Sequence, residues 1–198
     1  MKLSHDLLQD LIKITSSSAI ACYPYIGKNQ KILADKVATD TMREQLNKLD
    51  IKGKVVIGEG ELDEAPMLYI GEKLGSGNGP DIDIAVDPVE GTNFVAKNLP
   101  GAMSVIAVSE KGNLFNAPET YMQKIATGNL IPKGTIDLDY SVEKNIENYS
   151  RETNKKPSEI TVCILDRSRH DRIIEELKRL KVNIKYISDG DVAGVLLV

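Results

Sequence analysis

Between Ile57 and Glu90 the chain gathers nine acidic residues against a single lysine. The acids are Glu59, Glu61, Asp63, Glu64, Glu72, Asp81, Asp83, Asp87 and Glu90; the base is Lys73. In most sequences a run of like charge is a solvated face. Two features set this one apart. Glu59 and Asp87 each follow an apolar run that reads as a buried strand, Lys54–Ile57 and Ile82–Val86, and strand ends are where an α/β architecture presents groups to a ligand. Glycines flank Glu59 and a proline follows Asp87, so the backbone can turn sharply and project each side chain. Carboxylates converging there repel one another, and a divalent cation removes that cost. An all-oxygen donor set suits Mg2+ or Mn2+ better than zinc. Asp87-Pro88-Val89-Glu90 also has a structural reading, with Asp at N-cap, Pro at N1 and Glu at N3 of a helical capping box. The two readings are compatible, because a helix start offers N–H groups to a phosphate.

The elements that must position these groups follow from periodicity. Leu7, Leu8, Leu11, Ile12, Ala19 and Ile20 form a helical stripe over residues 4 to 23, with Ser4 as N-cap. Ile32, Val37, Ala38, Met42, Leu46 and Leu49 form a second, over residues 31 to 49. Met67 to Ile70 is a short apolar run, and residues 75 to 80 are a Gly-rich loop. Met103 to Val108 reads as a strand, with residues 110 to 113 as the turn of a hairpin. From Ser141 the pattern changes to helix, strand (160–165), helix and strand (182–187), which predicts a βαβ unit with a parallel pair. The boundary falls between Gly128 and Tyr140. It divides an N-terminal α+β part (1–130), which would bind metal, from an α/β part (131–198). Residues 189 to 198 end in an apolar run that reads as a buried helix or strand.

Composition bounds the function classes. The 198 residues carry a net charge of −4, against a general nucleic-acid binder. No apolar run reaches the ~18 residues that span a bilayer, and the N-terminus lacks a signal-peptide core, so a cytoplasmic protein without membrane contact is expected. Two cysteines and two histidines do not make a zinc site, and Cys163, in an apolar run, is expected to be a buried hydrophobe.

Gly58-Glu59-Gly60-Glu61-Leu62-Asp63-Glu64-Ala65-Pro66-Met67 closely resembles the bacterial class II fructose-1,6-bisphosphatases, and so does Asp83-Ile84-Ala85-Val86-Asp87-Pro88-Val89-Glu90-Gly91-Thr92. Asn116-Ala117-Pro118, residues 133–138, Arg169-His170-Asp171 and Asp189-Gly190-Asp191-Val192-Ala193 extend the resemblance along nearly the whole chain. The shorter Asp-Pro-x-Glu-Gly-Thr element is shared with the wider lithium-sensitive and inositol-phosphatase superfamily. The resemblance implies an α/β sugar-phosphatase fold, layered α-β-α-β-α, and Mg2+- or Mn2+-dependent removal of the 1-phosphate of fructose 1,6-bisphosphate in gluconeogenesis. Sedoheptulose 1,7-bisphosphate would be a further substrate.

By match to the family's motifs, Asp35, Glu59, Asp87 and Glu90 would be metal ligands. Asp63, Thr92 and Glu59 would be catalytic, with Thr92 orienting water or phosphate and Asp63 acting as a base. Glu90, Gly91, Thr92, Tyr121, Arg167, Ser168, Arg169, Asp189, Gly190 and Asp191 would bind substrate. The arginines would grip a phosphate and the aspartates accept sugar hydroxyls. The bland alternatives are an exposed basic turn for Arg167 and Arg169, a solvent-facing helix position for Asp35 and a helix cap for His170.

Members of the family continue past the Asp-Gly-Asp motif with a Gly-Gly-Ala-Pro-Glu-Gly segment whose Glu joins the metal site. This sequence lacks that segment, so an incomplete second layer and burial of its apolar surface in a homo-oligomer are expected. The competing expectation is an inactive family remnant serving as a binding or assembly module. An inositol or nucleotide phosphatase ranks behind both.

Overall fold

Ser4 starts the first helix as predicted: its hydroxyl accepts from the Leu7 N–H at 3.2 Å, satisfying one donor that a helix start leaves without a partner. The computed structural model describes residues 4–58, 68–115 and 121–198. Helix α1 runs His5–Cys22 and buries Leu11, Ile14, Ser18 and Cys22, one stripe at three- and four-residue spacing. A short 3-10 turn, Tyr23–Tyr25, leads to α2, Lys31–Leu46, which buries Ala34, Ala38, Met42 and Leu46. Small residues let the two helices approach closely, and the Ser18 hydroxyl donates across to the Ala38 carbonyl at 2.9 Å. The second helix stops short of the predicted Leu49, which packs against the core from the turn beyond it.

Strands β1 (Lys52–Ile57), β2 (Lys73–Leu74), β3 (Asp81–Glu90) and β4 (Met103–Glu110) form one mixed sheet in the order β2-β1-β3-β4. β1 and β3 are parallel, and both outer pairs are antiparallel. Leu11 and Ile14 of α1 and Met42 and Leu46 of α2 share a core with Val55, Leu74, Ile82, Ile84 and Val86. Leu68 is fully buried in that core but belongs to no strand, so the described part of the apolar run 67–70 is a loop anchor; Met67 lies outside the described residues.

Helix α3, Thr92–Lys97, connects β3 to β4. The predicted hairpin is therefore not formed. β4 pairs back onto β3, residues 110–113 turn after it, and no strand follows among the described residues before the next helix. That turn is tied to β3 instead: Lys111 N–H donates to the Asp81 carbonyl at 3.3 Å and Gly112 N–H to the Asp83 carboxylate at 2.6 Å.

The chain forms two compact units, Met1–Thr120 and Tyr121–Val198. In the second, Ser141 caps α4 (Val142–Thr153) by accepting from Lys144 N–H at 3.1 Å. β5 (Thr161–Leu165), α5 (Asp171–Arg179) and β6 (Asn183–Ile187) then make the predicted βαβ unit, with β5 and β6 parallel and in unbroken register. Ile146, Ile160, Leu177 and Val182 form its core. α6, Asp191–Val195, is a short helix, and Val195 to Val198 are exposed, contrary to the expected buried end. The fold is mixed α/β, and no helix among the described residues is long and apolar enough to cross a membrane.

Candidate functional site

β3 does not stop at Asp87-Pro88. It continues to Glu90, and the capping box expected there is absent: Gly91 is the N-cap and Thr92 the first helical residue. The reason lies in pairing with β4. Asp87 stands opposite Val105 and Glu90 opposite Met103, so three steps on β3 match two on β4 and the strand carries a bulge. Pro88 sits inside it, fully buried, where a missing N–H leaves no gap in the ladder. The Asp87 carboxylate accepts from the Val89 N–H at 3.0 Å and holds the bulge in shape. Strict alternation after Val86 would turn Val89 away from the helices. The extra residue reverses the phase, and Val89 packs with Cys22, Ala34 and Ala38.

Gly91 then turns the chain at φ +84, and a Cβ there would meet the Phe94 ring at 2.9 Å, so both the conformation and the space call for glycine. α3 is docked by Phe94, Val95 and Ala96, all buried, and by Gly27 and Asn29 N–H groups donating to the Val95 and Ala96 carbonyls at 2.9 and 2.8 Å. Glu90 is buried, while Asp87 and Thr92 are half-buried. The bulge and the turn thus fix four of the predicted site residues, Asp87, Glu90, Gly91 and Thr92, on one corner.

Asp35 lies on α2, half-buried. Its Oδ1 is buried without a hydrogen-bond partner among the described residues, and burial pushes its carboxyl above the ordinary aspartate value. Thr39, one turn later on the same side of the helix, likewise buries its hydroxyl oxygen without a partner among the described residues. Two oxygens one turn apart that no described donor satisfies fit a polar centre, and a carboxylate among them suits a hard cation. Cys22, beside the Ala34 carbonyl at 3.5 Å, is the buried cysteine. Burial, and then the charge of Asp35, push its thiol up to about 11. Cys163, expected to be buried, is partly exposed.

Glu59 and Asp63 lie outside the described residues, as do Glu61 and Glu64. Gly58 and Leu68, which bracket them, touch: a Cβ on Gly58 would run into the Leu68 carbonyl oxygen. Gly58 and Leu68 thus lie against each other beside β1. Among the described residues no three His, Cys, Asp or Glu side chains group closely enough to hold a metal ion.

Besides Asp87, Glu72, Asp83 and Asp81 of the acidic run also take structural partners. Glu72, nearly buried, accepts from Arg43 of α2 through Nε at 2.7 Å and Nη2 at 3.3 Å, a two-point pair that ties the helix to the strand edge. Asp83 clamps Gly112, and Asp81 faces Lys111 at 3.5 Å. Sequence reasoning missed Arg43, which stands 29 residues from its partner; the one signal was a basic residue on the polar side of the second stripe.

In the second unit, the predicted binding residues sit at the C-terminal ends of the parallel pair. Arg167, Ser168 and Arg169 follow β5, and Asp189, Gly190 and Asp191 follow β6. Arg167 donates to the Asp166 carbonyl at 3.0 Å and to the Ser188 carbonyl at 2.6 Å. The guanidinium of Arg169 lies over the Tyr121 ring, 4.3 Å from its centroid. Gly190, at φ +73, is buried and turns the chain into α6, whose first residue is Asp191. His170 precedes α5 without a side-chain cap; its Nδ1 donates to the Leu165 carbonyl at 2.8 Å.

Comparison with known proteins follows from this geometry. Residues 5–198 match the family described as bacterial fructose-1,6-bisphosphatase, glpX-encoded. The chain is 46% identical over 192 residues to the class 2 fructose-1,6-bisphosphatase 1 of Escherichia coli K12, covering 97% of this chain and 57% of that protein. It is 45% identical over 194 residues to the class 2 D-fructose 1,6-bisphosphatase/sedoheptulose 1,7-bisphosphatase of Synechococcus sp. CC9902, covering 98% of this chain and 58% of that protein. The chain thus spans less than three-fifths of these relatives' length. An extragenic suppressor from Pyrococcus furiosus overlaps 53% of the chain at 18% identity and a TM-score of 0.36, too little likeness to bear on the fold.

Proposed function

Because the chain belongs to the glpX-encoded bacterial fructose-1,6-bisphosphatase family, we propose that it serves hydrolysis of the 1-phosphate of fructose 1,6-bisphosphate, with sedoheptulose 1,7-bisphosphate as a further substrate. The observation that supports this most directly in the fold is Asp35, a carboxylate with one buried oxygen that no described residue partners. Asp35, Glu59, Asp87 and Glu90 would hold Mg2+ or Mn2+. The bound cation polarises phosphoryl oxygens and lowers the pKa of an attacking water. Thr92, on the rigid corner after Gly91, orients water or phosphate, and Asp63 takes the proton as base. Tyr121 with the turns 167–169 and 189–191 binds the sugar phosphate. The mixed sheet and the βαβ unit are parts of the proposed layered sugar-phosphatase architecture.

Phosphate release from fructose 1,6-bisphosphate with Mn2+, with Glu59→Ala as control, tests the proposal. Turnover above the control is expected. Turnover equal to the control rejects the enzyme reading for this chain and favours the second one, an inactive family member that binds or assembles. Self-association is proposed on the exposed apolar row of α1, Leu8, Ile12 and Ile20, with Tyr23 beyond it. Light scattering should give a mass above one chain, and Ile12→Glu should lower it.

A further inference from the structure

We propose that Arg167 is a positioning strut between the two substrate-facing turns, and that the phosphate is taken by Arg169; this rests on the reading above that these turns bind a sugar phosphate. The guanidinium of Arg167 is already forked across two backbone carbonyls. One belongs to Asp166, at the end of β5, and the other to Ser188, at the end of β6 and 21 residues away. The 2.6 Å bond to Ser188 is short even for a charged donor. Beside it the Asp166 N–H donates to the Ile187 carbonyl at 2.8 Å, so the strand ends are laced twice.

Ser188 leads directly into Asp189-Gly190-Asp191. Anchoring its carbonyl fixes where that turn leaves the sheet, and with it the two aspartates. The other end of the Arg167 turn is held by His170, whose N–H donates to the Arg167 carbonyl at 2.8 Å and whose ring holds the Leu165 carbonyl. A fork that spans two carbonyls needs the planar guanidinium; a lysine ammonium reaches one.

Arg169 is arranged differently. It is exposed, and among the described residues its guanidinium has no hydrogen-bond partner. Tyr121 covers one side of the group, and no described residue takes its N–H donors. That leaves a pre-oriented two-point donor for a phosphate.

Two measurements on the full chain separate the roles. Amide hydrogen exchange without ligand reads the strut: in Arg167→Ala the hydrogen-bonded amides of Asp166 and Gly194 should exchange about tenfold faster, and in Arg169→Ala at the original rate. Titration with fructose 1,6-bisphosphate, followed by NMR at several salt concentrations, reads the ligand. Arg169→Ala should lose about tenfold in affinity and part of its salt dependence. Arg167→Ala should lose affinity with the salt dependence kept, and Arg167→Lys, which retains charge without the fork, should not restore it. Unchanged exchange in Arg167→Ala, or full affinity in Arg167→Lys, overturns the proposal. If Arg167→Ala does not fold, exchange in Arg167→Lys decides in the same way, original rates overturning the strut. An original chain that takes up no fructose 1,6-bisphosphate while the exchange contrast holds removes the sugar-phosphate reading and leaves the strut standing.

Discussion

Replacing Asp35 by Asn should stabilise the metal-free protein at neutral pH and weaken its response to a divalent cation. Asp35 Oδ1 is buried without a partner among the described residues, and burial raises its carboxyl above the ordinary aspartate value. With the folded pKa above the unfolded one, the native state holds more protons in the window between them. Stability therefore falls as pH rises through that window, and the full cost is present above it. A buried unsatisfied polar group costs about 1–3 kcal/mol, and for a half-buried side chain the lower part of that range applies, about 1 kcal/mol. For a chain of this size that corresponds to a Tm difference of about 2–4 °C. Calorimetric unfolding in EDTA at pH 8 should show Asp35→Asn melting higher by that amount, with the gap closing toward pH 4. Saturating Mn2+ should raise Tm of the original chain, by about 2.7 kcal/mol of stabilisation at a hundred times Kd, and raise Asp35→Asn by less. If Asp35→Asn melts lower than the original chain in EDTA at pH 8, the carboxylate has a partner after all and the reasoning fails. Equal Mn2+ shifts in both proteins would remove Asp35 from the metal site.

The remaining predictions concern the frame around the site. Arg43→Met removes both bonds to the nearly buried Glu72; because the Arg43 side chain is 25% exposed, the loss should fall somewhat below the 3–5 kcal/mol of a fully buried pair, about 2–3 kcal/mol by urea unfolding. Adding Glu72→Met should recover much of it. Gly58→Ala forces a Cβ into the Leu68 carbonyl and should cost about 1–3 kcal/mol in the same assay; an unchanged midpoint would show that Gly58 and Leu68 are not pressed together. At pH 8 iodoacetamide should modify Cys163 well before Cys22, whose thiol stands near 11, and mass spectrometry of the labelled peptides checks the order.

Much of the frame was legible in the sequence because it is local. Ser4 could be named as a cap from residue type and position, and it makes the expected bond. The stripes of α1 and α2 and the alternation around β5 and β6 are periodic signals that one strand or helix carries by itself. The family could be read from the runs around Glu59 and Asp87, since their residue types and order are unusual in themselves.

What only the tertiary structure decided depends on partners distant in sequence. Asp87-Pro88-Val89-Glu90 has the local preferences of a helix start, yet it is a bulged strand, because β4 supplies a ladder that outweighs the cap. Glu72 reads as one more acid in a candidate metal cluster until Arg43 reaches it from α2. Arg167 and Arg169 are the same residue type two positions apart, and nothing local distinguishes them. One is claimed by a carbonyl at the end of β6 and the other by a tyrosine ring, because the parallel pair brings both strand ends to one edge. The sequence by itself determined the chemistry on offer; the pairing of distant strands and helices determined which of those groups hold the fold and which remain for a ligand.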